Sequence, residues 1–416
     1  SDLSKEFSVI DVPEIYPEMP PPNVEADFAI NCFRLAQALK KGPEMIADSV
    51  SRILSSTQSV EKVEKIKAFV NVKMTALELH RQCDAFVKNL LAGPFLPPSQ
   101  RARILVEFSS PNTNKPLHLG HLRNNAIGDS ISSLLKRAGH EEIKTNLIND
   151  RGIHICKSMI AYQRFGGGTN PENSGVKGDH LVGDFYVKFD SELKKQLQAL
   201  KESSPELKDL EEDELFSKTE IGSAAQELLR KWEAGDSETL SLWKKMNSWV
   251  LEGFEQTYRR MGIKFDKIYF ESNTYLSGKE IVEEGVSKGV FEKRDDGAIF
   301  VDLEKFSLGK KVLLRSDGTS VYITQDMGTT MLKQKDFTPD QQIWVVGDEQ
   351  IHHFKTLFAI MKLLGFTWAE KLKHLSYGMV NLPSGKMKSR EGTVVDADDL
   401  FDELFSLAKN ATLERL

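Results

Sequence analysis

His118 and His121, separated by Leu119 and Gly120, are the side chains whose type and spacing point most directly to chemistry. Three residues apart on a helix, both can face one bound phosphate chain. The apolar run Ile104–Phe108 precedes them and reads as a buried strand. A run that places Ile127, Ile131, Leu134 and Leu135 on one face follows and reads as an amphipathic helix. The pair therefore sits where a strand hands over to a helix, the usual phosphate position in a parallel sheet. Pro116 suits the start of that helix, because its missing N–H would find no partner there. Gly120, without a Cβ, lets a flat heterocycle such as adenine approach the backbone. Two histidines that merely cap a helix are the alternative reading of the same four residues. Zinc would need more ligands; His154 and Cys156 are the candidates, and their spacing fits no zinc pattern.

A second element lies far downstream, in Gly378–Gly392. Lys386, Lys388 and Arg390 fall within five residues, between glycines and beside Ser384 and Ser389. Such a loop is mobile by composition and can neutralise charge that builds up on a departing pyrophosphate. A solvated basic turn is the plainer reading.

Together the two elements resemble the signatures of class I aminoacyl-tRNA synthetases, and their flanks resemble the arginyl-tRNA synthetase family. The resembling residues are Glu107-Phe108-Ser109-Ser110-Pro111-Asn112 with Lys115 and His118-Leu119-Gly120-His121, then Tyr322-Ile323-Thr324-Gln325-Asp326 and Gly378-Met379-Val380. The resemblance runs from about residue 25 to the end. It departs at the second signature, Lys-Met-Ser-Lys-Ser, which stands here as Lys386-Met387-Lys388-Ser389-Arg390. Ser389 holds the second lysine's place, and a lysine has moved one position earlier. In the family, a lysine placed as Lys115 is thought to substitute, so Lys115 and Lys386 are expected to share the triphosphate contacts with His118 and His121.

The resemblance implies ATP, accompanied by Mg2+ without a dedicated metal cage, with Asn114, Gly120, Met379, Val380, Lys388 and Ser389 on the nucleotide. It implies arginine held by Tyr322 and Asp326 at the guanidinium, by Glu271 as a further carboxylate, by Glu107 and Asn112 at the backbone end, and by Gln350. An arginine substrate does call for planar acceptors, and Tyr322 and Asp326, four apart, share a face if a helix starts there. An exposed helix-start acid is the simpler reading of Asp326, and His353 can either position substrate or pack. The implied activity is arginyl-adenylate formation followed by transfer to the 3′ end of tRNA(Arg), with tRNA needed before activation. Another nucleotidyltransferase with the same histidine motif, or a non-catalytic tRNA-binding relative, are the alternatives.

Composition sets wider bounds. The 416 residues are 40% hydrophobic and 28% charged, an ordinary globular balance. Without a run of about 18 apolar residues, no membrane span is expected. The opening Ser-Asp-Leu-Ser-Lys-Glu carries no signal pattern, so the cytoplasm is expected; the chain is also expected to be a monomer. A net charge of −6 argues against a general nucleic-acid coating protein, while tRNA binding needs only a local basic face. Cys32, Cys83 and Cys156 are expected to be reduced and buried.

The expected fold class is α/β: a Rossmann-like parallel-sheet catalytic domain split by a helical insertion and preceded by a small α+β domain. Residues 1–100 form that N-terminal unit, closed by the proline-rich Gly93–Pro98, and the resemblance makes it a tRNA-contacting domain. In it, Phe28, Cys32, Leu35 and Leu39 have helical spacing, a helix runs from Pro43 to Leu54, Lys67–Val72 alternates like a strand, and Thr75–Leu91 is helical. Residues 101–165 hold the first half of the catalytic domain, with a strand at Ile143–Ile148. There, Asn149 and Asp150 either face a ligand crevice or satisfy a turn. Residues 166–265 read as a charged helical insertion with a break near Ser203–Pro205, its Trp232, Trp243, Trp249, Phe254 and Tyr258 packing a core rather than stacking on bases. Residues 266–395 resume the sheet and carry the lysine loop, with strands at Ala298–Val301, Val312–Arg315 and Ile343–Gly347. Residues 396–416 read as the start of a C-terminal helical region, the implied anticodon-binding domain being absent.

Overall fold

The computed structural model describes residues 15–91, 93–204, 207, 210–380 and 395–415. They fall into two compact units, Ser1–Phe95 and Leu96–Leu416.

In the first unit, an antiparallel sheet orders β1 (Phe28–Asn31), β3 (Phe69–Met74) and β2 (Val60–Ile66) with β3 in the middle. Helices α1 (Phe33–Leu39) and α2 (Pro43–Ser55) share with it a core of Cys32, Leu35, Ile46, Val50, Val70 and Val72. Phe28 does not begin a helix, as its spacing suggested. It pairs with Val72, and Asn31 with Phe69, so long-range strand pairing overrides a four-residue period and the helix starts only at Phe33. The hairpin β2–β3 turns at Lys67, whose φ of 55° is left-handed. Helix α3 (Ala76–Leu91) buries no described side chain, which explains why Cys83 is exposed while Cys32 and Cys156 are buried as expected.

The second unit is built on a parallel sheet in the order β11 (Leu372–Tyr377), β10 (Gln341–Gly347), β4 (Arg103–Glu107), β5 (Glu141–Ile148) and β6 (Lys267–Phe270). From β4 the chain builds outward through β5 to β6, then returns to place β10 on the other side of β4. The order therefore reverses between β4 and β10, which makes their carboxyl ends the expected ligand crevice. Both strands are apolar at their centres, Ile104–Val106 and Ile343–Val346, as strands covered on two faces must be.

Helix α4 (Leu119–Ala138) crosses from β4 to β5. Its buried positions are Leu122, Asn124, Asn125, Gly128 and Ser132, whereas Leu134 is exposed. The apolar face read from sequence is thus rotated, because the helix approaches the sheet through small residues. A Cβ on Gly128 would lie 2.2 Å from the Phe108 ring, so only glycine allows this approach. Gly139, at φ 112°, ends the helix, after Lys136 and Arg137 complement its dipole.

After α5 (Ile153–Phe165) come three long helices, α6 (Gly178–Ser203), α7 (Glu220–Glu233) and α8 (Ser237–Met261). They enclose Met159, Phe189, Leu215, Ile221, Val250 and Phe254. Phe254, Tyr258 and Trp232 are buried, in keeping with packing. Pro205, in the expected break, lies outside the described residues. Helix α9 (Ser277–Ser287) follows β6. The strands expected near Ala298 and Val312 form as β8 (Ile299–Asp302) and β9 (Lys310–Leu314) but do not join the parallel sheet. With β7 (Glu292–Lys293) they make a separate antiparallel sheet, since short hairpin connections cannot supply a parallel crossover. Helices α10 (Tyr322–Phe337), α11 (Ile351–Leu363) and α12 (Ala397–Leu413) complete the unit. Among the described residues, no helix is long and apolar enough to cross a membrane.

Candidate active site

After β4 the chain turns sharply at Ser109, a non-glycine residue at φ 63°. Such a conformation costs on the order of 1–2 kcal/mol and needs support. Asn124 on α4 supplies it: the Ser109 N–H donates to Asn124 Oδ1 at 2.6 Å, and Ser109 Oγ lies 2.7 Å from the Tyr258 hydroxyl. The same Asn124 donates through Nδ2 to the Val345 carbonyl at 2.7 Å and to the Tyr377 hydroxyl at 2.9 Å. One buried amide thus ties the carboxyl ends of β4, β10 and β11 together. Nothing in the local sequence singles Asn124 out, because its partners are up to 253 positions away.

The loop then runs along the end of β5, where Asn112 bridges Asn149, and reaches His118 as the N-cap of α4. Pro116 precedes the cap by two residues instead of occupying the first turn. The two histidines do cap the helix. His118 Nδ1 accepts from the Gly120 N–H at 3.1 Å, and His121 Nδ1 accepts from the His118 N–H at 3.1 Å. Their rings lie 3.9 Å apart. In neutral rings with Nδ1 so committed, the proton resides on Nε2, leaving each imidazole one N–H donor. Capping and ligand binding are therefore compatible, since they use opposite nitrogens. No acidic residue occupies the first turn of α4; the first N–H groups of the helix are taken up by Val395 and His118, so the donors left for an anion are the ring Nε2–H groups.

Both rings are held neutral. Burial, then the charge of Lys115, pushes His118 down to about 4; burial, His118 and Lys115 push His121 well below the ordinary value. Lys115 is thereby placed close enough to act on both. Unfolded imidazoles take up protons near 6.5 and these folded ones only far below, so the unfolded state binds more protons in between. Their contribution to stability is full above about pH 6.5 and falls as pH drops toward 4. We expect the urea midpoint to fall across that window, and to fall less in His118→Asn. An equal drop in both proteins would mean that His118 charges freely in the folded chain.

The other predicted residues divide by position. Asn114 is buried, and its Oδ1 finds no hydrogen-bond partner among the described residues. Met379 sits against Gly347 at the end of β10, its sulfur 3.1 Å from where a Cβ would stand, and half-buried Val380 follows. Lys386, Lys388 and Ser389 lie outside the described residues. Glu107 ends β4 buried and ion-paired with Lys333, a residue sequence reasoning missed. Gln350 is exposed at the turn after β10.

Tyr322 and Asp326 open α10 one turn apart, as their spacing required, with Tyr322 80% exposed. Asp326 Oδ2 lies 2.5 Å from His353 Nε2, which settles that His353 faces this carboxylate. Glu271 is raised by burial, opposed by Arg151 and reinforced by Asp150 and Asp326, so the carboxylates of Glu271 and Asp326 share one neighbourhood. A cleft of about 580 Å³ opens beside them, lined by Glu271, Tyr322, Gln325, Glu233 and Arg151. Arg151 was also missed; it pairs with Glu233 at 3.1 Å and lies 3.9 Å over the Tyr275 ring. Asp150 is buried and accepts from the Ser272 N–H at 2.8 Å and hydroxyl at 2.6 Å, so its carboxylate holds the segment that follows β6.

A family model described as tRNA synthetases class I (R), catalytic domain, matches residues 87–415. A second, the arginyl tRNA synthetase N terminal domain, matches residues 2–74. The chain belongs to the class I arginyl-tRNA synthetase family. It is 49% identical over 391 residues to the arginine–tRNA ligase of Amoebophilus asiaticus, a match covering 94% of this chain and 64% of that one. It is also 49% identical over 390 residues to the arginine–tRNA ligase of Treponema denticola, covering 92% and 62%. The chain thus spans a little under two thirds of the length of these relatives. The fold matches Thermus thermophilus arginyl-tRNA synthetase with a TM-score of 0.69 at 23% identity, covering 100% of this chain and 69% of that one. The corresponding enzyme of Plasmodium falciparum matches with a TM-score of 0.62 at 20% identity, covering 99% and 67%.

Proposed function

We propose that this chain carries the catalytic centre of an arginine–tRNA ligase, which forms arginyl-adenylate from arginine and ATP and transfers the arginyl group to the 3′ end of tRNA(Arg). The observation that carries this reading is the pair of neutral imidazoles whose Nδ1 atoms cap the helix and leave Nε2–H as donors, set at the reversal point of a parallel sheet. The arginine carboxylate attacks the α-phosphate of ATP, and the bond to the pyrophosphate leaving group breaks. His118 and His121 donate to phosphate oxygens, and Lys115 and Lys386 offset the growing charge. Neutral donors add hydrogen bonds without repelling the neighbouring lysine. The terminal adenosine hydroxyl of tRNA then attacks the activated carbonyl and releases AMP. Positioning and charge stabilisation carry both steps, without a covalent enzyme intermediate.

Asp326 and Tyr322 hold the guanidinium, with Glu271 as the neighbouring carboxylate and Gln350 at the rim. Glu107 and Asn112 serve the substrate's backbone end, the Glu107 carboxylate being shared with Lys333. Asn114, Gly120, Met379, Val380, Lys388 and Ser389 serve the nucleotide. Mg2+ enters with the phosphates of ATP. Asp179, His180 and Asp398 are the one described cluster with metal-ligand spacing. The Lys177 ammonium already stands 3.0 and 2.6 Å from its carboxylates, so the cluster does not suit a resident ion. The ligase is read as a cytoplasmic monomer.

Arginine-dependent exchange of pyrophosphate into ATP, assayed with and without tRNA(Arg), tests the reading; exchange is expected when tRNA is present. Exchange driven by a different acid would make the chain another nucleotidyltransferase, and none under any condition would leave a tRNA-binding relative. In the same assay, Asp326→Asn is expected to raise the arginine KM about 10- to 100-fold, as loss of a charged hydrogen-bond partner does, with the ATP KM within about twofold. An unchanged arginine KM would remove Asp326 from the pocket.

A further inference from the structure

The residues just before α12 lie against the histidine motif. The Leu119 N–H donates to the Val395 carbonyl at 3.0 Å, the Ala397 N–H donates to the Leu117 carbonyl at 3.0 Å, and His118 faces Asp396 in an antiparallel bridge. This short strap fixes the backbone on both sides of the residue whose imidazole faces the phosphates. Asp396 in turn caps α12, accepting from the N–H groups of Asp398 at 2.8 Å and Asp399 at 3.3 Å.

Packing and charge together hold the strap in place. Ala397 is buried, and Leu400 and Phe401 of α12 pack partly buried on the core of α5, α6 and α8. Beside them, Asp398 meets Lys177 Nζ at 2.6 Å and an Arg260 nitrogen at 2.9 Å. Lys177, at the start of α6, is tied further to Asp179 at 3.0 Å and to the Thr257 hydroxyl at 2.7 Å. Arg260, near the end of α8, also reaches Asp402 at 2.6 Å, and its guanidinium lies 5.0 Å over the Phe401 ring. His180 Nε2 stands 3.5 Å from both Asp396 and Asp398. Side-chain exposures of 17% for Lys177, 14% for Asp398 and 0% for Asp179 put the centre of this cluster largely out of water. There, charge-assisted bonds hold geometry better than at an open surface. Burial opposes ionisation of Asp398, yet the neighbouring His180, the hydrogen bond from Lys177 and the charge of Arg260 keep its carboxyl well below the usual range.

We propose that Lys177, with Asp398 and Arg260, is a positioning device for the histidine motif: it clamps Val395–Ala397 against Leu117–Leu119 and so fixes the direction in which His118 presents its donor. Through it, two helices from between the halves of the parallel sheet govern chemistry at the end of β4. A displacement of about 1 Å at a reacting centre can cost about 100-fold in rate. The rate part of this inference rests on the ligase reading; the clamp itself does not.

The test uses Lys177→Met and Lys177→Arg in the full chain, read by hydrogen-exchange mass spectrometry and by pyrophosphate exchange. In Lys177→Met, the amides of Leu119 and Ala397 are expected to lose protection. The kcat for exchange should fall about 10- to 100-fold while the arginine KM stays within about twofold. Lys177→Arg should restore most of both, because a purely steric role would not recover with charge. Unchanged protection and kcat in a folded Lys177→Met would overturn the proposal, as would a loss of kcat without loss of protection. If wild type shows no exchange while Lys177→Met still loses protection at these amides, the ligase reading fails and the clamp stands. Should Lys177→Met not fold, Arg260→Gln breaks a more exposed pair, and the same pattern is expected at about 3- to 10-fold; no change there would equally overturn it.

Discussion

Replacing His118 with alanine is expected to slow adenylate formation by about two to three orders of magnitude, the usual loss when one transition-state donor is removed. The substitution also removes the acceptor for the Gly120 N–H, and a lost N-cap costs about 1 kcal/mol of stability. His118→Asn separates the two effects. Asparagine is a good N-cap and can accept the same N–H, but it has no ring to carry a donor to the distance of Nε2. The urea midpoint of His118→Asn should therefore return toward wild type while turnover stays as low as in His118→Ala. Normal turnover in either variant would show that this imidazole only caps.

Lys333→Met, in helix α10, is expected to be strongly destabilising, because this lysine packs against the end of β4. Lys333 is 1% exposed and pairs with the equally enclosed Glu107, while its ammonium lies 5.3 Å from the Trp344 ring and 5.8 Å from the Tyr269 ring. Removing the cation leaves a carboxylate buried without a counter-charge, which costs about 3–5 kcal/mol. Replacing both partners, as in Glu107→Gln with Lys333→Met, removes the stranded charge and should recover most of that loss. Midpoints of chemical denaturation decide the matter: a double variant no more stable than Lys333→Met would mean that the lysine contributes by packing and not by charge.

The sequence carried the site further than it carried the fold around it. Continuous apolar runs located β4 and β10, so the strands that lead to the site were legible; α10 was expected only on the condition that a helix starts at Tyr322, as it does. Strand β2, Val-Glu-Lys-Val-Glu-Lys-Ile, was not, because its apolar residues recur every third position instead of every second. The Phe28 segment misled because four residues fit either period, and its partner strand lies about 40 positions away. Lys333, set between Leu332 and Gln334 in a helix, looked like any solvated lysine; only the packing of α10 on the sheet reveals that it faces Glu107. Residue types announced that two histidines could bind or cap. The backbone hydrogen bonds show that Nδ1 of each ring caps the helix, which leaves Nε2 for the proposed ligand.

The contact between Gly128 and the Phe108 ring constrains how the molecule can work. Helix α4 lies so near β4 that not even a methyl group fits between them, and the same helix delivers both imidazoles. That wall of the crevice cannot breathe during turnover without opening a void or driving atoms into one another. On the proposed reaction, the travel that accompanies substrate entry and pyrophosphate departure is expected in other parts of the chain, with the histidines as a stationary jaw.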